Sequence, residues 1–229
     1  MEDRLDSGLM LVLLDDAATV SQAELHAQLT ATPGIREVSW WRNVVPQRTD
    51  WLADLRTIDE FHTMAVAELE GEIDPAIAPK GARSIIFRRY PRPSQGVMRL
   101  PTLGLALILV SPKDLTDAAS SQSLRDWADF VHFVGIMDAN IPGYGLVTPY
   151  QNITDDSPRF LHMYEFPDPD AETVFARTRP CAAQRFGGGP GTPAFDHWEL
   201  HPDISIDYVN SFCRIGVDGQ DIPADKLFA

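Results

Sequence analysis

GLMLVLL at residues 8–14 and GLALILV at residues 104–110 both begin with a Gly-Leu pair and run on as unbroken aliphatic stretches. Short runs with no polar residue read as strands covered on both faces, and finding two of them points to an internal duplication. The segments after the two runs strengthen that reading. After the first comes SQAELHAQLTATPG (21–34), with Ser21 and Glu24 at capping-box spacing, Leu25 and Leu29 four apart, and Pro33-Gly34 as a stop. After the second, a helix is predicted over roughly 120–138. Leu124, Trp127, Val131 and Val134 fall at helical spacing there, and Pro142-Gly143 lies beyond.

Each half then continues with two strand-like stretches rich in β-branched and aromatic residues. These are IREVSWWRNVV (35–45) and EFHTMAVAEL (60–69) in the first half, YGLVTPY (144–150) and RFLHMYEF (159–166) in the second. A short acidic, alanine-containing stretch comes next in each, and SIIFRRY (84–90) suggests a closing strand in the first half. The order β-α-β-β-α-β is the ferredoxin-like plan, which covers one face of its sheet with helices and leaves the other apolar. Two such halves can bury their bare faces against each other. The expected fold is therefore α+β, two tandem ferredoxin-like repeats forming a barrel. Residues 1–93 make the first half, 94–103 a linker in a stretch of linker composition (RPSQGVMRLP), 104–189 the second half, and 190–229 a C-terminal extension packing on the barrel.

With the helix and the turn after it in place, the sequence resembles the dimeric α+β barrel superfamily, and within it the EthD-like branch. That branch carries a Trp-Tyr-Asp-x-x-His helix followed by a Pro-Gly-aromatic turn. Trp127, Asp129 and His132 match the spacing, and Pro142, Gly143 and Tyr144 match the turn. Ala128, Val131 and Val134 depart from it, standing where an aromatic, an acid and a proline are usual. The resemblance covers about a quarter of the chain. It implies a barrel with an apolar pocket in a group that includes cofactor-free monooxygenases, cyclases, isomerases and haem-handling proteins.

The charge balance narrows the partners. Nineteen Lys and Arg against 33 Asp and Glu leave a formal net charge of −14. That field repels phosphate backbones and anionic membrane surfaces, so no nucleic-acid or membrane partner is expected. The acidic N-terminus, with only a short apolar run, fits neither a signal peptide nor a spanning helix, and the expected location is cytoplasmic. Cys181 and Cys213 lack metal or disulfide-framework spacing and read as reduced thiols. GGGPGT (187–192) lacks the Lys-Ser/Thr ending of a phosphate loop and reads as a connection.

The candidate chemistry centres on His132. On a regular helix Asp129 lies three residues before it on the same side, where a carboxylate can orient an imidazole and favour its protonated form. The expectation is a cofactor-independent enzyme that moves protons on a small apolar or aromatic metabolite, as a cyclase, isomerase or lyase. His132 serves as general acid or base, Asp129 orients it, and Tyr144 is a phenolic donor. Trp127, Trp40, His62 and His162 are candidates for lining the substrate pocket. No cofactor is expected. One alternative is a metal- or haem-dependent oxygenase: DHWELHP (196–202), if extended, puts His197, Glu199 and His201 on one face. Another is a non-catalytic binding or assembly protein. Either a monomeric pseudo-dimer or a homodimer satisfies the duplicated pattern.

Overall fold

The computed structural model describes residues 7–14, 20–50, 55–72, 74–79, 82–90, 95–96 and 101–222. Residues 94 and 97–100 of the expected linker lie outside the described residues, as do the last seven residues of the expected extension. Nine strands form one antiparallel sheet: β1 (Gly8–Leu14), β2 (Ile35–Asn43), β3 (Thr63–Leu69), β4 (Arg83–Arg89), β5 (Gln95–Gly96), β6 (Gly104–Pro112), β7 (Leu146–Asn152), β8 (Phe160–Phe166) and β9 (Ile204–Ile215). Their order is β4-β1-β3-β2-β9-β6-β8-β7-β5, and β4 also pairs with β7, so the sheet closes within the one chain. The fold is mixed α+β.

The helices are α1 (Gln22–Thr30), α2 (Ala118–Trp127), α3 (Phe133–Asp138), α4 (Ala171–Ala176), α5 (Thr178–Phe186) and α6 (Pro193–Glu199). The capping box of α1 forms: Ser21 Oγ accepts from the Glu24 amide, and the Glu24 carboxylate accepts from the Ser21 amide. Leu25 and Leu29 are its buried residues.

Alternation along the strands creates three apolar clusters. From β1, Leu9, Leu11 and Leu13 point into the barrel, where Trp41, Phe61, Phe87, Tyr150, Tyr208 and Phe212 fill the centre. Met10, Val12 and Leu14 point outward under α1 together with Trp40. On β6, Leu105, Leu107 and Leu109 face the interior, while Ala106 and Val110 face the helices of the second half. Packing of this kind leaves the lumen occupied by side chains, and the room for a ligand lies between the sheet and the helices.

Within residues 190–229, expected as an extension packing on the barrel, one strand is built into the sheet itself. β9 is a member of the sheet, paired with β2 on one side and β6 on the other. Its twelve residues link β2 to β6 across the sheet. No helix among the described residues is long and apolar enough to cross a membrane.

Candidate functional site

The helix carrying His132 is not regular. Between α2 and α3, residues Ala128–His132 form a π-helical turn, and the Phe133 amide donates to the Ala128 carbonyl five residues back. Such wide turns shift the side chains after them around the axis and recur at functional sites. Here the shift separates the expected pair. Asp129 is buried and meets Arg125, whose Nη2 donates to its Oδ1 at 2.6 Å. The imidazole of His132 instead turns toward β8 and α6.

Both ring nitrogens of His132 are engaged. Nδ1 lies 3.0 Å from the Trp198 carbonyl oxygen, and Nε2 lies 2.9 Å from the Tyr164 hydroxyl. A carbonyl only accepts, so Nδ1 carries the proton; Nε2 is then the acceptor, and Tyr164 donates to it. Trp198 returns the contact by donating its indole N–H to the His132 carbonyl at 3.0 Å, and the two rings stack with centroids 5.2 Å apart. On the other side the Trp127 ring lies 5.0 Å from the imidazole and donates to the His197 carbonyl at 2.7 Å. His132 is thus held between two indoles that also pin α6 to the helix before it.

Burial keeps this imidazole neutral. Desolvation, reinforced by the Arg125 charge, brings its pKa down to about 4 against the contrary pull of the Trp198 carbonyl. Burial likewise holds the Tyr164 phenol well above its usual range. At neutral pH the pair is a protonated phenol donating to a neutral imidazole.

His162 stands two residues before Tyr164 on β8, so alternation puts both on the face toward the helices. It is 2% exposed, its ring meets Phe133 edge-on, and its Nε2 has no hydrogen-bond partner. Desolvation, with Arg125 and His132 adding to it, drives its pKa well below that of a free histidine. His132, His162, Tyr164, Trp127 and Trp198 all line one cavity of about 220 Å³, whose other walls include Ile108, Val110 and Val209. Arg48, Asp50, Glu172, Arg179 and Glu199 also line this cavity. They are paired with one another: Arg48 with Asp50 and Glu172, Arg179 with Glu199.

The other sequence candidates fall elsewhere. Tyr144 donates to Thr178 Oγ1 at 2.6 Å, because the Thr178 hydroxyl is itself spent on the Phe175 carbonyl. Tyr144 therefore braces a wall residue of the cavity. Trp40 lies under α1 and donates to His26 Nδ1 at 3.2 Å, far from the cavity walls. His62 is exposed at the entry to β3, its backbone joining Leu14 and Asn43. The stretch carrying His197 and Glu199 is helical, with Pro193 in its first turn, so the extended arrangement needed for a shared metal does not form. His201 comes after it in irregular backbone and accepts at Nδ1 from the Asp203 amide. Among the described residues no group of three or more His, Cys, Asp or Glu is placed to hold a metal ion.

Trp198 and Tyr164 are the functional residues that sequence reasoning missed. Tyr164 was legible as the residue two beyond His162 in a predicted strand. Trp198 sits inside DHWELHP, where the histidines drew the reading.

A haem would need one axial imidazole with its far N–H anchored. His132 has that anchor in the Trp198 carbonyl, and displacing the Tyr164 hydroxyl would expose Nε2. The donor chemistry of His132 would therefore fit holding a haem.

No protein-family model matches the chain, and no curated protein does. Solved structures do. A mutant chlorite dismutase from Candidatus Nitrospira defluvii is 12% identical with a TM-score of 0.51, covering 93% of this chain and 94% of its own. A second mutant of that enzyme is 11% identical with a TM-score of 0.51, covering 93% of each chain. A candidate monooxygenase from Lactobacillus acidophilus NCFM is 10% identical with a TM-score of 0.46, covering 92% of this chain and 94% of its own. At these identities the likeness is one of fold alone.

Proposed function

We propose that the chain is an enzyme that moves protons on a small, largely apolar molecule held in the cavity between the second-half sheet and its helices. The observation that carries this is the Tyr164 hydroxyl donating to the lone pair of a neutral, half-buried His132. A substrate oxygen that takes over the Tyr164 hydrogen bond frees Nε2 as a base. His132 then accepts a proton from a neighbouring C–H or O–H while the Tyr164 hydroxyl stabilises the oxyanion that forms. Returning the proton at a second position completes an isomerisation, cyclisation or elimination with no net redox change. The paired mouth carries two cations against three carboxylates, which favours neutral or cationic substrates over anions. His162, whose ring also lines the cavity, supplies a second polar side chain there.

The two four-strand runs, β4-β1-β3-β2 and β9-β6-β8-β7, support reading the chain as two ferredoxin-like halves, the second ending with β9. In that reading one half has kept the site. The test is a screen of enolisable ketones and phenols for turnover, repeated with His132→Ala. Full turnover by that variant on a substrate of the native enzyme would rule out His132 as the base.

A second reading comes from the anchored Nδ1–H: His132 would hold a haem, which would supply one-electron or oxygen chemistry. Adding haemin to the purified chain separates the two. A Soret band that shifts on binding and is lost in His132→Ala supports the haem reading, and an unshifted band supports proton transfer.

A further inference from the structure

The cavity does not end at its mouth. A groove of about 590 Å³ lies beside it, and Leu200, Ile204 and Ile206 belong to the walls of both. The far side of the groove is Leu55, which, like Leu200, is 43% exposed. Two large aliphatic side chains are thus held toward water beside a continuous apolar floor, contiguous with a built cavity. Two polar side chains of the groove, Lys113 and His201, are occupied locally. Lys113 donates to the Pro202 carbonyl at 2.7 Å, and the Nε2–H of His201 donates to Ser123 Oγ at 3.2 Å. The inner cavity is the opposite: its wall includes His162, 2% exposed, whose Nε2 has no hydrogen-bond partner among the described residues.

From this polarity we infer that cavity and groove form one elongated site for an amphipathic molecule. Its small polar head sits at His162 and Tyr164, and an unbranched apolar tail passes over Leu200 into the groove along Leu55, Ile204 and Ile206. The inference rests on the reading of the inner cavity as the ligand site and adds the class of ligand. A head without a tail would leave the groove wet, and a tail without a polar head would leave His162 unsatisfied.

The test uses 4-n-alkylphenols from phenol to 4-hexylphenol as probes, titrated against the full chain and followed by the fluorescence of Trp127 and Trp198. The dissociation constant is expected to fall roughly 2- to 4-fold per methylene, the range between half and full burial of each CH2. In Leu55→Asp and in Leu200→Trp, with circular dichroism confirming the fold, the dependence on chain length should collapse toward 1-fold per methylene. Phenol binding with no chain-length dependence, or a dependence unchanged in both variants, overturns the elongated site and leaves the inner cavity standing. Failure of every phenol to bind overturns the inner cavity as a ligand site, and the inference with it.

Discussion

Gly135 offers a perturbation whose sign distinguishes this packing from a generic helix. It lies in α3, one turn beyond His132, where alanine should stabilise by about 1 kcal/mol through helix propensity. A Cβ there would overlap Trp198 Cδ1, come 2.7 Å from its indole nitrogen and lie 3.0 Å from Phe186 Cζ. Trp198 is 2% exposed and packed against Phe195 as well as His132, so its ring has little room to yield. Overpacking of this kind costs about 1–3 kcal/mol. Losing the indole hydrogen bond to the His132 carbonyl adds roughly 1 kcal/mol. Set against the propensity gain, Gly135→Ala should destabilise by about 1–3 kcal/mol, lowering Tm by roughly 2–12 °C for a chain of this size. Urea and thermal unfolding by circular dichroism read it directly. An unchanged or raised Tm would refute the close seating of Trp198 over this helix.

Three more outcomes are expected of the site. Because His132 has a folded pKa of about 4, against roughly 6.5 when unfolded, the unfolded chain binds more protons between those values. Its contribution is fully present above pH 6.5 and falls away as pH drops toward 4. The loss is about 2–3 kcal/mol by pH 4.5, and unfolding of His132→Gln should show a shallower fall over that window. Tyr164→Phe should lower turnover of an identified substrate by roughly 10²-fold or more while changing stability by only about 1 kcal/mol, measured by initial rates and urea unfolding. Asp129→Asn should cost about 2–4 kcal/mol of stability through its buried pairing with Arg125, and leave the acid limb of the pH–rate profile in place.

The strands and the first helix were legible because they depend on local pattern. β1 and β6 are aliphatic on both faces and buried on both, and the cap of α1 needs only Ser21 and Glu24. The site was half legible. His132 and Trp127 could be picked out from their spacing, but the partner assigned to His132 was wrong, because the rule that places residue 129 beside residue 132 assumes a regular helix. The π turn breaks that rule, and nothing in ADFVH announces it. The true partners, Tyr164 and the Trp198 carbonyl, are 32 and 66 residues away in sequence and depend on how α6 and β8 pack. The place of β9 between β2 and β6 was not legible for a related reason. Its pattern is interrupted where Asp207 is buried among Thr57, Ser111 and Ser157 hydroxyls, beside a register shift in its pairing with β6. Hydroxyls brought from three separate segments satisfy this carboxylate inside the sheet.

The claim that Tyr164 donates to a neutral His132 is tested most directly by ¹⁵N–¹H correlation NMR of the imidazoles at pH 7, assigned by comparison with His132→Gln. The account predicts a neutral ring protonated at Nδ1, with an Nε2 resonance that shifts in Tyr164→Phe as its hydrogen bond is lost. A ring protonated at Nε2, a charged imidazolium, or an Nε2 resonance indifferent to Tyr164 would contradict it.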